Sequence, residues 1–403
     1  MIGAGIFAAI GPAAAAAGSG LLIGLAVAGA VAYCNASSSA VLAAEYPASG
    51  GTYVYGRQRL GAFWGYLAGW GFVVGKTASC AAMALTVGAY IAPGWQRPIA
   101  IAAVAVLTAV NYRGVSKTVA LTRWIVVVVL AALVVIVFAG VFGGAASADR
   151  IEDVTQAGWR GVLQSAGLLF FAFAGYARIA TLGEEVREPA RTIPVAIPLA
   201  LGITLIVYLV VATTALASVG PEQLAASPAP LAAVVRAGSF DRLAVVARVG
   251  GAVAALGVLL SLIAGVSRTI FAMASDCELP RGLAAVHPRH AVPYRAELLV
   301  GALVVVLVAT ADLRHSIGFS SFCVLTYYAI ANASAWTLPA ARRRAATRLL
   351  AGAGIVGCAT LAVTLPWSSV MAGSVVLLLG AAVYVARHRA GPAAFHRPRS
   401  GGS

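Results

Sequence analysis

The chain has 403 residues, of which 61% are hydrophobic and only 10% are charged. Soluble domains carry about 25% charged residues, so this composition excludes an ordinary soluble protein and predicts an all-α polytopic membrane protein. The formal net charge is +15, but the basic residues fall in short loops between apolar segments, which favours orientation in a membrane over nucleic-acid binding.

Crossing a bilayer as a helix takes about 20 apolar residues. Apolar segments that approach or exceed this length occur at residues 1–17, 19–44, 60–91, 97–111, 119–143, 160–184, 192–219, 246–274, 295–311, 316–340, 348–366 and 370–388. The sequence therefore predicts about twelve transmembrane helices, a transmembrane domain over residues 1–390 and a short polar tail over residues 391–403.

The distribution of arginine and lysine predicts the orientation. If the residues before the first helix are cytoplasmic, the inner side carries 20 of the 28 basic residues, and one more, Lys76, lies within a span. The outer side carries seven: Arg97, Arg150, Arg160, Arg236, Arg242, Arg248 and Arg314. The positive-inside rule then predicts a protein of the cell membrane with both termini in the cytoplasm.

The first segment contains two glycines one residue apart, Gly3 and Gly5, inside an apolar run. Glycine weakens a helix and leaves its backbone uncovered, and lipid tolerates freed amides only where the break faces a polar cavity. The pattern indicates either close packing of helices or a broken helix whose N–H groups bind an anion such as a carboxylate.

Three further features follow in the chain: two loops and one ionisable residue, Lys76, within a span. Proline and paired glycines in the loop after the second segment, residues 46–55, predict a tight turn or a re-entrant segment. Lys76 lies near the middle of the third segment, where an ionisable side chain is either functional or directed to an interface or a backbone carbonyl. The outer loop 221–242 is long enough to hold short helices and to act as a lid.

The sixth segment is also interrupted. An aromatic run ends at Gly175, and a polar stretch with Glu184 and Glu185 follows. The phenylalanines are compatible with core or lipid contacts, and the glutamates with a solvated helix end. However, the interruptions in the first and sixth helices are five helices apart, as expected for two inverted repeats, and paired interruptions indicate a transporter site.

The sequence offers no other chemistry. The five cysteines are scattered without a CxxC pair and are typical of small buried side chains. HExxH and GxSxG motifs are missing from the sequence, so we expect neither an enzyme nor a metal or other cofactor.

Four motifs carry a family resemblance: GAGIF in the first helix, EYPASGGTYVYGR after the second, GEEVREPARTIPVAI after the sixth, and SDCELP with VHPR after the eighth. They resemble those of the amino acid–polyamine–organocation permeases, from residue 1 to about residue 340. The resemblance implies a LeuT-like fold, with helices 1–5 and 6–10 as inverted repeats and two peripheral helices. It also implies transport of amino acids or related amines by alternating access.

The resemblance also implies a substrate site. Its residues are Gly3, Ala4, Gly5, Ile6, Phe171, Phe173, Ala174, Gly175 and Tyr176. The amides of the first helix would hold the substrate carboxylate, and the carbonyls of Phe171 and Ala174 would accept from its amino group. Phe173 and Tyr176 would shape or gate the pocket, and Ala172 would leave room for the substrate.

The chain departs from the family pattern in several places. Relatives have further residues before the first motif, so we expect the first helix to be truncated and the true start to lie upstream. Val129 stands where some relatives have a lysine, and Ala177 where arginine/agmatine-type exchangers have a glutamate. Lys76 would replace the missing cation if its side chain points inward.

These features predict a secondary active transporter for a zwitterionic amino acid, coupled to protons, with Lys76 as the possible coupling residue. Its partners would be a small amino acid substrate, the lipid bilayer and protons. Two alternatives stay open. One is an exchanger or exporter, including one for polyamines; the other is a non-transporting membrane sensor or partner subunit.

Overall fold

The computed structural model describes residues 2–46, 50–114, 119–151, 154–176, 189–339 and 345–389. The predictions on Ala177, Glu184, Glu185 and the tail 391–403 lie outside the described residues, as does the side chain of Tyr176. All twelve predicted segments contain a helix. We number them α1 to α12: Gly5–Ala17, Leu21–Glu45, Ala62–Ile91, Gln96–Tyr112, Val119–Phe142, Gly158–Phe173, Pro189–Ala226, Ala244–Ser275, Tyr294–Thr310, Leu313–Trp336, Ala345–Thr364 and Trp367–Arg389.

The helices form a multi-pass membrane protein. Within the described residues there is no strand, and seven helical stretches are long and apolar enough to cross a bilayer. Large apolar side chains face outward along α5, where Val134 and Phe142 are each 67% exposed. Such an apolar outer surface suits hydrocarbon and not water.

The packing of the helices follows the predicted five-plus-five arrangement. α1 packs on α6, α2 on α7, and α4 on α9, while α3 packs on both α8 and α10, and α5 packs on α8. If α1 is exchanged with α6, α2 with α7, and so on to α5 with α10, the same set of packed pairs results. For example, the pair α3–α10 becomes the pair α8–α5. Because five crossings are an odd number, the second half runs through the membrane in the opposite sense. α11 and α12 pack outside this pairing, against α2, α3, α6 and α10.

Two short helices lie in the loops. Thr52–Arg59 follows the turn after α2, at which Gly50 has φ 134° and Gly51 has φ 56°, values that glycine adopts readily. The sequence predicted this turn but not the helix after it. Pro230–Arg236 occupies the outer loop in which short helices were expected, and α7 leads into that loop across a kink at Gly220 with φ 74°.

Arginine side chains bond backbone carbonyls at both ends of the bundle. At the predicted outer end, Arg97 donates to the carbonyl of Ala309 over 2.7 Å, and Arg248 Nε donates to the carbonyl of Tyr90 over 3.0 Å. At the other end, Arg387 donates to the carbonyl of Glu278 over 2.7 Å. Arg97 and Arg248 thus cap the last turns of α9 and α3, whose carbonyls otherwise lack partners, whereas Arg387 binds the loop after α8.

Candidate substrate site

The first helix begins inside the protein. α1 starts at Gly5, and Ala4 precedes it without a side-chain cap. The first backbone amide to donate within the helix is that of Ala8, which reaches the carbonyl of Ala4 over 3.1 Å. The amides of Gly5 and Ile6 therefore have no acceptor within α1, and they lie at the positive end of its dipole.

The sixth helix ends where the sequence predicted an interruption. α6 stops at Phe173, and a 3-10 turn covers Ala174–Tyr176. The carbonyls in the last turn of α6 lie at the negative end of a helix dipole. Ala172 and Ala174 are each 5% exposed, whereas Gly175 is exposed. An N-terminal and a C-terminal helix end are thus available in the two halves of the chain.

These two ends touch. A Cβ atom placed on Gly5 would lie 2.5 Å from Cα and 2.8 Å from Cβ of Ala172, closer than any side chain tolerates. Glycine at position 5 is therefore required by the approach of α6. The structure brings the predicted residues Gly3–Ile6 together with the end of α6, and this contact agrees with the packing interpretation of Gly5.

Tyr208 of α7 joins both helix ends, and the sequence analysis missed it. Its hydroxyl donates to the carbonyl of Ala172 over 3.4 Å and is hydrogen-bonded to the backbone of Gly3. Its ring packs against Phe173 with 5.4 Å between centroids. A lone tyrosine in the apolar run LIVYLVV is the signal that could have identified it, since a buried hydroxyl needs a partner.

The aromatic residues of α6 pack mainly on other helices. Phe170 and Phe173 are fully buried, and Phe170 meets Tyr328 of α10 edge to face at 5.8 Å. Phe171 is partly buried against the core. The structure thus places Phe173 behind the junction of α1 and α6, in contact with Tyr208, and places Phe171 beside that junction.

The outer side of the junction is covered. Tyr90 at the end of α3 donates to the carbonyl of Phe7 over 3.2 Å and accepts from the amide of Leu231 over 3.4 Å. Leu231 belongs to the short helix Pro230–Arg236, whose apolar side chains are buried. A Cβ atom on Gly11 would lie 3.1 Å from Pro230, so this short helix rests directly on α1. The predicted lid segment therefore lies against the first helix.

Lys76 points into the protein. It is 7% exposed, in the middle of α3. Its neighbours in sequence face α10: the hydroxyls of Ser79 and Ser320 are 2.6 Å apart, and a Cβ atom on Gly75 would lie 2.7 Å from Cys323. The structure therefore buries Lys76 within the bundle.

Two of the family motifs meet at the other end of the bundle. Tyr53 of the short helix Thr52–Arg59 donates to Asp276 over 2.6 Å, and Arg57 donates to Glu278 over 2.8 Å. Burial raises the pKa of the Tyr53 hydroxyl above its usual range, and the hydrogen bond to Asp276 adds to this. Burial also raises the pKa of Glu278. The hydrogen bond from Tyr53 and the charge of Arg57 each lower this pKa, but burial outweighs them. This network ties the loop after α2 to the loop after α8.

Comparison with known proteins places this architecture in a family. The profile of the amino acid permease family matches residues 1–386. An uncharacterized transporter of Mycobacterium bovis is 64% identical over 387 residues, which is 96% of this chain and 88% of that protein. The branched-chain amino acid permease BcaP of Bacillus subtilis is 26% identical, over 95% of this chain and 89% of that protein. The human cationic amino acid transporter 4 is 27% identical, over 81% of this chain and 56% of that protein.

The match over nearly the whole chain agrees with the four motifs and with the pairing of the twelve helices. It confirms the predicted resemblance, and it confirms the prediction that the protein is a transporter and not an enzyme. The chain belongs to the amino acid permease family, within the amino acid–polyamine–organocation permeases.

Proposed function

We propose that this amino acid transporter is a secondary active permease of the cell membrane that binds a zwitterionic amino acid between the ends of α1 and α6. The observation that carries the proposal is the contact between Gly5 and Ala172. It sets the positive end of one helix dipole beside the negative end of another. A carboxylate and an ammonium on one carbon atom match such a pair of opposite helix ends.

Residue roles follow from this arrangement. The amides of Ala4, Gly5 and Ile6 hold the carboxylate, and the carbonyls of Phe171 and Ala174 accept from the ammonium. No charged side chain is needed for this backbone part of the site. Tyr208 fixes the distance between the two helix ends, because its hydroxyl is bonded to both.

The substrate side chain is expected to be neutral. The helices α1, α3, α6 and α8 contain no aspartate or glutamate between their described first and last residues. A cationic side chain or a polyamine would find no carboxylate there. The relative from Bacillus subtilis is named a branched-chain amino acid permease, which supports the same substrate class. The cationic amino acid transporters among the relatives point to the competing class.

Alternating access would use the contacts at both ends of the bundle. On the outer side, Tyr90 links α1 to the short helix Pro230–Arg236. On the inner side, Arg57 links the loop after α2 to Glu278. Opening to one side requires that the contacts of that side separate while the others persist. Both termini would lie in the cytoplasm, as the arginine distribution predicts.

Proton coupling would use Lys76. An ammonium group buried within the bundle is costly unless it is compensated, so substrate binding and protonation can be linked there. Replacing Lys76 by Met keeps the length of the side chain and removes the titratable group. We expect the Lys76→Met variant to transport at a rate that no longer responds to an imposed pH gradient. An unchanged response to the gradient would contradict this role.

The test of the proposed function is uptake of labelled neutral and cationic amino acids into proteoliposomes, with and without an inward proton gradient. Gradient-stimulated uptake of neutral amino acids is the expected result. Uptake that requires internal amino acid but no gradient would identify an exchanger. Absence of uptake by monodisperse, correctly oriented protein would favour a sensor or partner subunit. The Gly5→Val variant serves as the inactive control.

A further inference from the structure

A groove runs along the outer surface between α4 and α9, away from the junction of α1 and α6. It has a volume of about 590 Å³ and is lined mainly by apolar atoms. Small side chains line the groove, among them Ala105, Ala109 and Ala302, which are exposed along it. Val106 beside it is 60% exposed, so this face of the bundle is turned toward lipid.

A polar atom lies within the wall of the groove. Thr108 is 7% exposed, and its hydroxyl has no hydrogen-bond partner among the residues that the structure describes. A Cβ atom on Gly301 would lie 2.8 Å from this hydroxyl, so α9 approaches α4 closely at the same level. This hydroxyl is enclosed between α4 and α9 and is not open to a molecule in the groove.

The groove ends in a cluster of aromatic rings and cations. Tyr112 of α4 lies 5.3 Å from the ring of His287 and 6.2 Å from that of Tyr294. His287 stacks on His290 at 4.7 Å, and the turn at Gly114 packs against the carbonyl of His290. This cluster fixes the end of α4 to the loop before α9 and holds the neighbouring arginines in place.

The mouth of the groove is cationic. Arg113 lines the groove, and neither Arg113 nor Arg289 forms an ion pair with any residue that the structure describes. Arg295 donates to the hydroxyl of Tyr294 over 3.0 Å and to a backbone carbonyl, so it too has no carboxylate partner. The one acidic residue of α9, Glu297, is buried and interacts with Arg268 of α8 instead.

We propose that this groove binds one anionic membrane phospholipid, with an acyl chain along the exposed alanines and the phosphate at Arg113. The apolar groove and the unpaired cations at its mouth together match an amphiphile with one negative headgroup. Basic pockets between transmembrane helices on the cytoplasmic side bind such headgroups. Arg113 lies on the side that the arginine distribution predicts to be cytoplasmic. The proposal does not depend on which amino acid is transported.

Native mass spectrometry of the purified full chain tests the proposal. The protein is released from micelles that contain equal amounts of phosphatidylglycerol and phosphatidylcholine, and the retained lipids are counted. We expect one phosphatidylglycerol to be retained in preference to phosphatidylcholine. Arg113→Gln should weaken this retention about fivefold, which corresponds to losing one cation near a lipid phosphate. Arg314→Gln, at the opposite end of the bundle, is the matched control and should retain the lipid.

A second pair of variants tests the acyl groove. Ala302→Phe fills the groove and should abolish selective retention, whereas Val106→Phe adds the same ring to the exposed surface of α4 and should not. Ala105→Phe replaces Ala302→Phe if gel filtration shows that the latter is not monodisperse. Equal retention of both lipids by the wild type, or loss in the control variants, would overturn the proposal. A dimer that is lost in Ala302→Phe would assign the groove to a second copy of the chain.

Discussion

A Cβ atom on Gly5 would lie 2.5 Å from the Cα atom of Ala172, so the first residue of α1 and the last turn of α6 fit together only with glycine at position 5. Gly5→Ala should therefore push the two helix ends apart. We expect at least a tenfold fall in transport, because a displacement of about 1 Å in a binding site costs up to about a hundredfold in rate. Uptake into proteoliposomes measures the loss.

The matched control is Gly202→Ala in α7, where no atom lies within 4 Å of the added Cβ. It should transport normally. The double variant with Gly5→Ala and Ala172→Gly should recover only part of the activity, since the clash with Cα of Ala172 persists. Normal transport by Gly5→Ala alone would contradict the assignment of the site.

Tyr208→Phe removes the hydroxyl that is bonded to Ala172 and to the backbone of Gly3, while the ring packed on Phe173 stays. A neutral hydrogen bond contributes about 1 kcal/mol, so we expect the apparent substrate affinity to fall about fivefold. Thermal stability should change little, because the apolar contacts remain. The control is Tyr33→Phe, at a tyrosine that is 43% exposed. Equal affinities for Tyr208→Phe and the wild type would show that the hydroxyl does not position the site.

The contrast between Gly5 and Tyr208 shows what the sequence reveals and what it does not. The end of α6 near Gly175 could be predicted, because glycine weakens a helix, whereas the sequence left the role of Gly3 and Gly5 open between packing and a broken helix. Hydropathy likewise predicted all twelve helices, since each must cover its own backbone amides in lipid. Tyr208 lies in a helix of ordinary hydropathy. Only the folded chain shows that its hydroxyl meets the carbonyl of Ala172 at the end of α6 and the backbone of Gly3 before α1.

Loop structure was less predictable for a related reason. Gly50 and Gly51 indicated a turn, but the helix Thr52–Arg59 is stabilised by partners that are distant in sequence. Arg57 reaches Glu278 across 221 positions, and the amide of Thr52 donates to Tyr327 across 275 positions. Nothing local in the sequence encodes such contacts. The same holds for Lys76, whose burial could be assigned only once α10 was placed against α3.

The pair of Arg57 and Glu278 predicts a stability difference that grows with pH. Burial raises the pKa of Glu278, and Arg57 partly opposes this, so Arg57→Gln should raise that pKa further. Below its pKa the carboxyl group is neutral and needs no cation, so the variant and the wild type should unfold at similar temperatures. Above it, the variant carries a poorly compensated carboxylate.

We expect the penalty at pH 7.5 to be about 1 kcal/mol or less, because the Arg57 side chain is 41% exposed and is screened by solvent. Thermal unfolding in detergent at pH 4 and pH 7.5 measures this difference. Arg389→Gln, at an exposed arginine on α12, provides the control. An equal difference at both pH values would mean that the charge of Glu278 plays no part.

Asp312 caps α10, and its contribution to stability is likewise larger at neutral than at acidic pH. Its carboxylate accepts from the amide of His315 over 2.7 Å and lies 2.8 Å from Nδ1 of the same residue. Burial alone would raise the pKa of Asp312, but these bonds outweigh it and lower that pKa. A lowered carboxyl pKa stabilises the folded state above the unfolded pKa, and this contribution is lost as the pH falls through the folded pKa.

Asp312→Ala should therefore cost about 1 kcal/mol at pH 7, as for other N-cap residues, and less at pH 3. Asp312→Asn, which keeps an acceptor, should retain most of the stability, and Glu222→Ala controls for the loss of one exposed acid. A cost that is independent of pH would show that the Asp312 side chain contributes through packing and not through its charge.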